Sequence, residues 1–187
     1  MAKKAIILLA DGFEEVEAIT PFDYLRRAGI EVTTVSISGN LTVTGRWTGV
    51  KLLADTTLAE LIKNGTGDYD AVILPGGMPG AVNLAASAEA GALIKETAAA
   101  GKIIAAICAS PAIVLFPLGI IKGKSFTCYP GMEEKVSGAN WSDARVVTDG
   151  NIITSRAAGT AGEWAISIIE KLLDKTDAQK IAETVLL

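Results

Sequence analysis

The chain reads as an α/β protein with a mostly parallel sheet covered by helices on both faces. Two observations predict this. Ala5-Ile6-Ile7-Leu8-Leu9-Ala10, Asp70-Ala71-Val72-Ile73-Leu74 and Ile103-Ile104-Ala105-Ala106-Ile107 are apolar runs without polar alternation, as in strands buried on both sides. Segments of helical spacing separate them, which is the rhythm of βαβ units. No repeat, low-complexity tract or linker interrupts the pattern, so residues 1–187 are expected to form one domain.

In chain order, the first strand is Ala5 to Ala10, turned by Asp11-Gly12-Phe13. A helix follows from about Glu14 to Ala28, because Val16, Ile19, Phe22 and Leu25 recur at helical spacing and Gly29 stops them. Pro21 should kink this helix or mark a late start. Glu31 to Ile37 is β-branched and reads as a second strand. Ser38 to Ala54 loosens into a small hairpin ending in Val50 to Leu53. Asp55 or Thr56 caps a short helix to about Lys63, closed by Asn64-Gly65. After the Asp70 strand, an alanine-rich helix begins at Ala88 and stops at Gly101. Ser125 to Tyr129 and Arg145 to Thr148 read as strands, the latter joined to Asn151–Ser155 through Asp149-Gly150. Gly159 to Leu173 is a strong helix with Trp164, Ile168 and Leu172 on one face, and Asp177 to Leu187 is the last.

Composition removes several classes of function. With 187 residues, half of them hydrophobic, the chain can bury a substantial core. A net charge of −4 without any basic stripe argues against nucleic acid. The apolar run after Lys3-Lys4 ends at Asp11, too short for a signal peptide, and no stretch reaches membrane-spanning length. Two cysteines in such a chain point to a reducing, cytoplasmic setting without a structural disulfide. The chain contains no histidine, so no Cys-His or Ser-His pair can form and no metal site is expected. A general base must be a carboxylate, a tyrosine, a lysine or a thiolate.

Three features fall at the carboxyl ends of predicted strands, where ligands bind in parallel sheets. Cys108 follows the Ile103 strand and precedes Ser110-Pro111, the form of a strand–nucleophile–helix elbow; it is either a small core hydrophobe or a nucleophile activated by a helix N-terminus. Glu14, Glu15 and Glu17 follow the first strand, either favouring the helix dipole or serving as acids and bases. Gly76-Gly77 follows the Ile73 strand, as a tight turn or as a backbone that brings two N–H groups to a reacting oxygen. Gly-Gly-Met-Pro-Gly lacks dinucleotide spacing, and the acidic first loop would repel a flavin phosphate. Cys128 reads as a structural thiol, and Tyr129, Trp47, Trp141 and Trp164 as packing residues.

These stretches together resemble the DJ-1/ThiJ/PfpI superfamily, and its DJ-1-like branch in particular. The matching pieces are Asp11 to Glu17, Leu25-Arg26-Arg27-Ala28-Gly29, Leu74-Pro75-Gly76-Gly77, Ala105 to Pro111, Thr154-Ser155-Arg156 and Gly159-Thr160, collinear over nearly the whole chain. The resemblance implies a flavodoxin-like three-layer α/β/α sandwich that forms a homodimer, and a reactive Cys108 whose sulfur is hydrogen-bonded by a protonated Glu17. It implies that Gly76, Gly77 and Ala109 line the pocket with backbone donors, and that Arg27 lies near a pocket built across the dimer. It implies chemistry without cofactor or metal on a small reactive carbonyl: glyoxalase conversion of methylglyoxal to lactate, or deglycation. The alternative is a redox sensor or chaperone working through oxidation of Cys108. A protease is disfavoured, since those members place a histidine where this chain has Ala109. Tyr129 stands where some members have histidine. Trp47-Thr48 replaces a Ser-Arg before Gly49-Val50-Lys51, with Arg46 two residues early. A protonated Glu17 donating to the sulfur predicts a raised Glu17 pKa and a depressed Cys108 pKa.

Overall fold

The structure, a computed structural model, describes residues 2–65 and 69–187. It begins with β1 (Lys4–Leu9), α1 (Glu15–Arg27), β2 (Glu31–Ser36), and the hairpin β3 (Thr42–Thr44) and β4 (Lys51–Leu53). Next come β5 (Thr56–Thr57), α2 (Leu58–Asn64), β6 (Ala71–Leu74), α3 (Gly80–Ala86), α4 (Ala88–Ala99) and β7 (Ile103–Ile107). The chain closes with β8 (Ser125–Phe126), β9 (Asn140–Trp141), β10 (Val146–Asp149), β11 (Ile152–Ser155), α5 (Ala161–Leu172) and α6 (Lys175–Thr184).

Seven strands form one sheet in the order β10-β11-β7-β6-β1-β2-β5, parallel except for the β10–β11 hairpin. Alternate residues of each apolar run serve opposite cores. Ile7, Leu9, Ile73, Ala105 and Ile107 pack on one face with Leu25, Trp164 and Ile168 of α1 and α5. Ile6, Leu8, Val72, Leu74, Ile104 and Ala106 pack on the other with Leu58, Leu93 and Ile94 of α2 and α4. Two buried faces explain why these strands carry no polar alternation. The order β2-β1-β6-β7-β11 is the flavodoxin-like one, and it reverses direction between β1 and β6. The carboxyl ends of β1, β6 and β7 therefore border one crevice.

Several expectations shift. Pro21 does not mark a late start of α1, which begins at Glu15; it sits buried inside the helix, and its ring nitrogen cannot donate to the Glu17 carbonyl. Thr57, not Asp55 or Thr56, caps α2 through its side chain, because Asp55 is engaged by the Thr34 N–H and hydroxyl. The last helix starts earlier, at Lys175, where Asp174 accepts the Asp177 N–H at 2.9 Å. Three elements carried no sequence signal: β5, α3, which begins at Gly80 directly after Pro79, and β9, only two residues long. The largest change lies after Cys108. Where a helix was expected, Pro111–Leu115 forms a single π-type turn that gives way to turns.

Candidate functional site

The site is built from the elbow outward. Cys108 adopts φ +64, a left-handed conformation that is unfavourable for a residue with a side chain. Its surroundings hold it there. The Cys108 N–H donates to the Ser155 carbonyl at 3.0 Å, and the Tyr129 N–H donates to the Cys108 carbonyl at 2.8 Å. The Ser110 hydroxyl donates to the Pro75 carbonyl at 2.6 Å, tying the elbow to the end of β6. Such strain costs roughly 1–3 kcal/mol and persists only where neighbours over-determine it.

Glu17, in the first turn of α1, is buried beneath the elbow. Its N–H donates to Glu14 Oε2 at 2.7 Å, so Glu14 caps the helix and fixes the turn. Glu17 Oε2 accepts the Gly76 N–H at 2.8 Å, while Oε1 is buried without a hydrogen bond. Gly76 is required by the close approach: a Cβ there would lie 2.7 Å from Cys108 Cβ and 2.8 Å from Glu17 Oε2. Its N–H is thus directed at the carboxyl and not at a substrate oxygen, which departs from the expected donor role. Gly77 (φ +88) and Ala109 behave differently, since their N–H groups face the Cys108 sulfur and favour its anion.

Burial, reinforced by the neighbouring Glu14 charge, raises the Glu17 carboxyl to about 7, against the pull of the Gly76 N–H. The raised carboxyl agrees with the sequence reading. Cys108 does not follow it. Burial first, and the Glu17 charge second, push the thiol up to about 12. One reason is the missing helix: a single turn after Cys108 supplies little of the dipole that would favour a thiolate. The other is that an ionised carboxyl beside sulfur repels the thiolate, and this repulsion vanishes once Glu17 takes the proton. The two groups titrate as a pair.

Cys108 opens, at 9 % exposure, onto a cavity of about 440 Å³. Glu14, Glu17, Gly77 and Ala109 line it from the predicted stretches. Gly76, expected among them, does not line the cavity. Arg27 lies outside it, with its Nε donating to Asp23 at 2.8 Å on the surface of α1. Arg46 lines the cavity, with its guanidinium 4.2 Å from the Trp47 ring centroid. Trp47 and Tyr129 also line the cavity, so neither is simply a packing residue, whereas Trp164 is. Met78, Met132, Ala157 and Ala158 complete the wall. Only the Thr154-Ser155-Arg156 stretch hinted at the last two, and nothing local marked the methionines. Cys128 is fully buried away from this cavity, and burial also pushes its thiol up to about 12. Among the described residues no helix is long and apolar enough to cross a membrane.

Fold and site define a doubly wound α/β protein with a cysteine on a strained elbow above a buried carboxyl. The chain belongs to the DJ-1/PfpI family, whose model matches residues 3–171. It is 42% identical over 189 residues to protein dj-1beta of Drosophila melanogaster, covering 100% of this chain and 98% of that one. It is 34% identical over 172 residues to a deglycase of Pyrococcus abyssi, covering 90% and 99%. The solved structure of oxidized DJ-1 from Toxoplasma gondii superposes with a TM-score of 0.94 at 38% identity, covering 99% of this chain and 98% of the other.

Proposed function

We propose that the chain is a cofactor-independent enzyme of glyoxalase or deglycase type, acting on 2-oxoaldehydes through Cys108. The observation that carries this reading is the convergence of the Glu17 carboxyl and the Gly77 and Ala109 N–H groups on one sulfur that borders a cavity. With the thiol proton on Glu17, the thiolate adds to the aldehyde carbon, and the two N–H groups steady the developing oxyanion. The oxyanion takes the Glu17 proton and becomes a hemithioacetal. The freed carboxylate then moves the proton on that carbon to its neighbour through an enediol, which leaves a thioester of a 2-hydroxy acid. Water cleaves the thioester and restores the thiol. Methylglyoxal gives lactate by this route. The name of the similar Pyrococcus abyssi protein supports the deglycase form. Without histidine in the chain, a Cys-His protease mechanism has no base. The acting unit in this proposal is a cytoplasmic homodimer, a role that suits the exposed Val16 and Ile19 on α1.

A second reading, oxidation of Cys108 to a sulfinate that signals oxidative stress, draws on the same features. Cys108 borders the cavity while Cys128 is sealed. The two readings are separated by measuring lactate from methylglyoxal without glutathione, for the wild type, Cys108→Ala and Glu17→Gln. Turnover abolished by Cys108→Ala supports the enzyme. A folded, thiol-reactive wild type without turnover overturns it in favour of redox sensing, and mass spectrometry after mild peroxide should then place the oxygen on Cys108.

A further inference from the structure

We infer that Trp47 determines specificity, as an aromatic platform at the mouth of the Cys108 cavity that favours carbonyl substrates carrying a flat aromatic substituent. The inference rests on the reading of Cys108 as the reacting thiol. Trp47, Arg46 and Met78 line both the Cys108 cavity and an adjoining one of about 490 Å³, so they form the partition between the two. A substituent that extends from Cys108 toward the second cavity meets them.

The platform is anchored through its backbone, and the Arg46 guanidinium stacks on the indole 4.2 Å from the ring centroid. Glu15 Oε1 accepts hydrogen bonds from the Trp47 N–H, the Thr48 N–H and the Thr48 hydroxyl, each at 3.0 Å. The Arg46 N–H donates to the Phe13 carbonyl at 2.9 Å, and the Gly12 N–H to the Thr44 carbonyl at 2.8 Å. Gly45 lets this loop press onto α1, since a Cβ there would lie 2.6 Å from Glu15 Oε1. The backbone is therefore pinned at the site while Trp47 as a whole, even with Arg46 stacked on its ring, remains 69% exposed. An exposed indole gains free energy when a flat apolar group covers it, and its position is already set, so little ordering cost opposes binding. Met78 and Met132 add polarizable thioethers to the same cavity, which make favourable contacts with rings. A methyl substituent covers almost none of this surface. A phenyl ring does.

The test compares alkylation of Cys108 in the full chain by N-phenylmaleimide and N-ethylmaleimide, followed by peptide mass spectrometry, for the wild type, Trp47→Ala and Trp47→Phe. The phenyl-to-ethyl rate ratio should fall about three- to tenfold in Trp47→Ala and return in Trp47→Phe. An unchanged ratio in Trp47→Ala overturns the inference. Calorimetric binding of mandelate against lactate, the two 2-hydroxy acids with and without the ring, makes the same comparison without thiol chemistry. Mandelate should bind the wild type more tightly and lose that advantage in Trp47→Ala; equal binding to the wild type overturns the platform. Loss of methylglyoxal turnover with the ring preference intact would overturn the enzyme reading alone. Turnover without ring preference would overturn the role of Trp47 alone.

Discussion

Cys108 and Cys128 are both interior thiols pushed up to about 12, first by burial and second by a nearby carboxylate, Glu17 for one and Glu133 for the other. Their surroundings otherwise differ. Cys108 has a left-handed backbone, two N–H groups facing its sulfur and an edge on a cavity, whereas Cys128 is sealed at 0% exposure. Glu17 is itself raised to about 7, so near neutrality it competes for the proton that the sulfur must lose. Burial sets a thiol's resting proton affinity. Geometry decides whether a proton acceptor and an electrophile can reach it.

The comparison breaks most sharply on the sulfurs themselves. Cys108→Ala should remove turnover of a 2-oxoaldehyde by about 10⁴-fold or more, the scale of losing a nucleophile. Glu17→Gln keeps the shape but cannot carry the proton, and kcat should fall about 10²- to 10⁴-fold. The alkylation rate of Cys108 against pH should also lose the step near 7 that Glu17 contributes. Lactate formation and iodoacetamide kinetics check both variants.

Stability offers a third, smaller test. Below pH 4.5 Glu17 is protonated in the folded and unfolded chains alike; between 4.5 and about 7 only the folded chain keeps the proton. Stability therefore falls as pH rises through that window, by about 3 kcal/mol in all, and then levels off. Glu17→Gln should flatten this slope, so urea unfolding at pH 5 and pH 8 should show the variant gaining on the wild type at the higher pH. Gly76→Ala drives a methyl group between Cys108 and Glu17 and should cost about 1–3 kcal/mol of stability, together with activity. Cys128→Ala sharpens the contrast from the other side. It should leave kcat within about twofold, because Cys128 does not line the Cys108 cavity.

Much of the fold was legible because its signals are local. The both-faces-buried runs of β1, β6 and β7 announced a parallel sheet, and the β-branched β2 and the turn at Asp149-Gly150 followed the same logic. The element after Cys108 is not legible in the sequence because Pro111 permits a first helical turn without requiring a second. Arg27 and Arg46 show the same limit at the site. Helical spacing put Arg27 at the end of α1 but carried no information about the cavity, while Arg46 reaches it from a hairpin loop anchored to Phe13 and Glu15.

By itself the sequence determined the buried central strands of the sheet, that Cys108 stands at a strand end among small residues, and that no histidine can assist it. Each of these depends on neighbours in the chain or on composition. The tertiary structure alone decided that the Gly76 N–H serves Glu17, that the carboxyl rises while the thiol does not fall, and that Trp47 faces the cavity. Those outcomes depend on burial and on through-space charge between groups brought together from β1, β6 and β7, and neither quantity is written in local spacing.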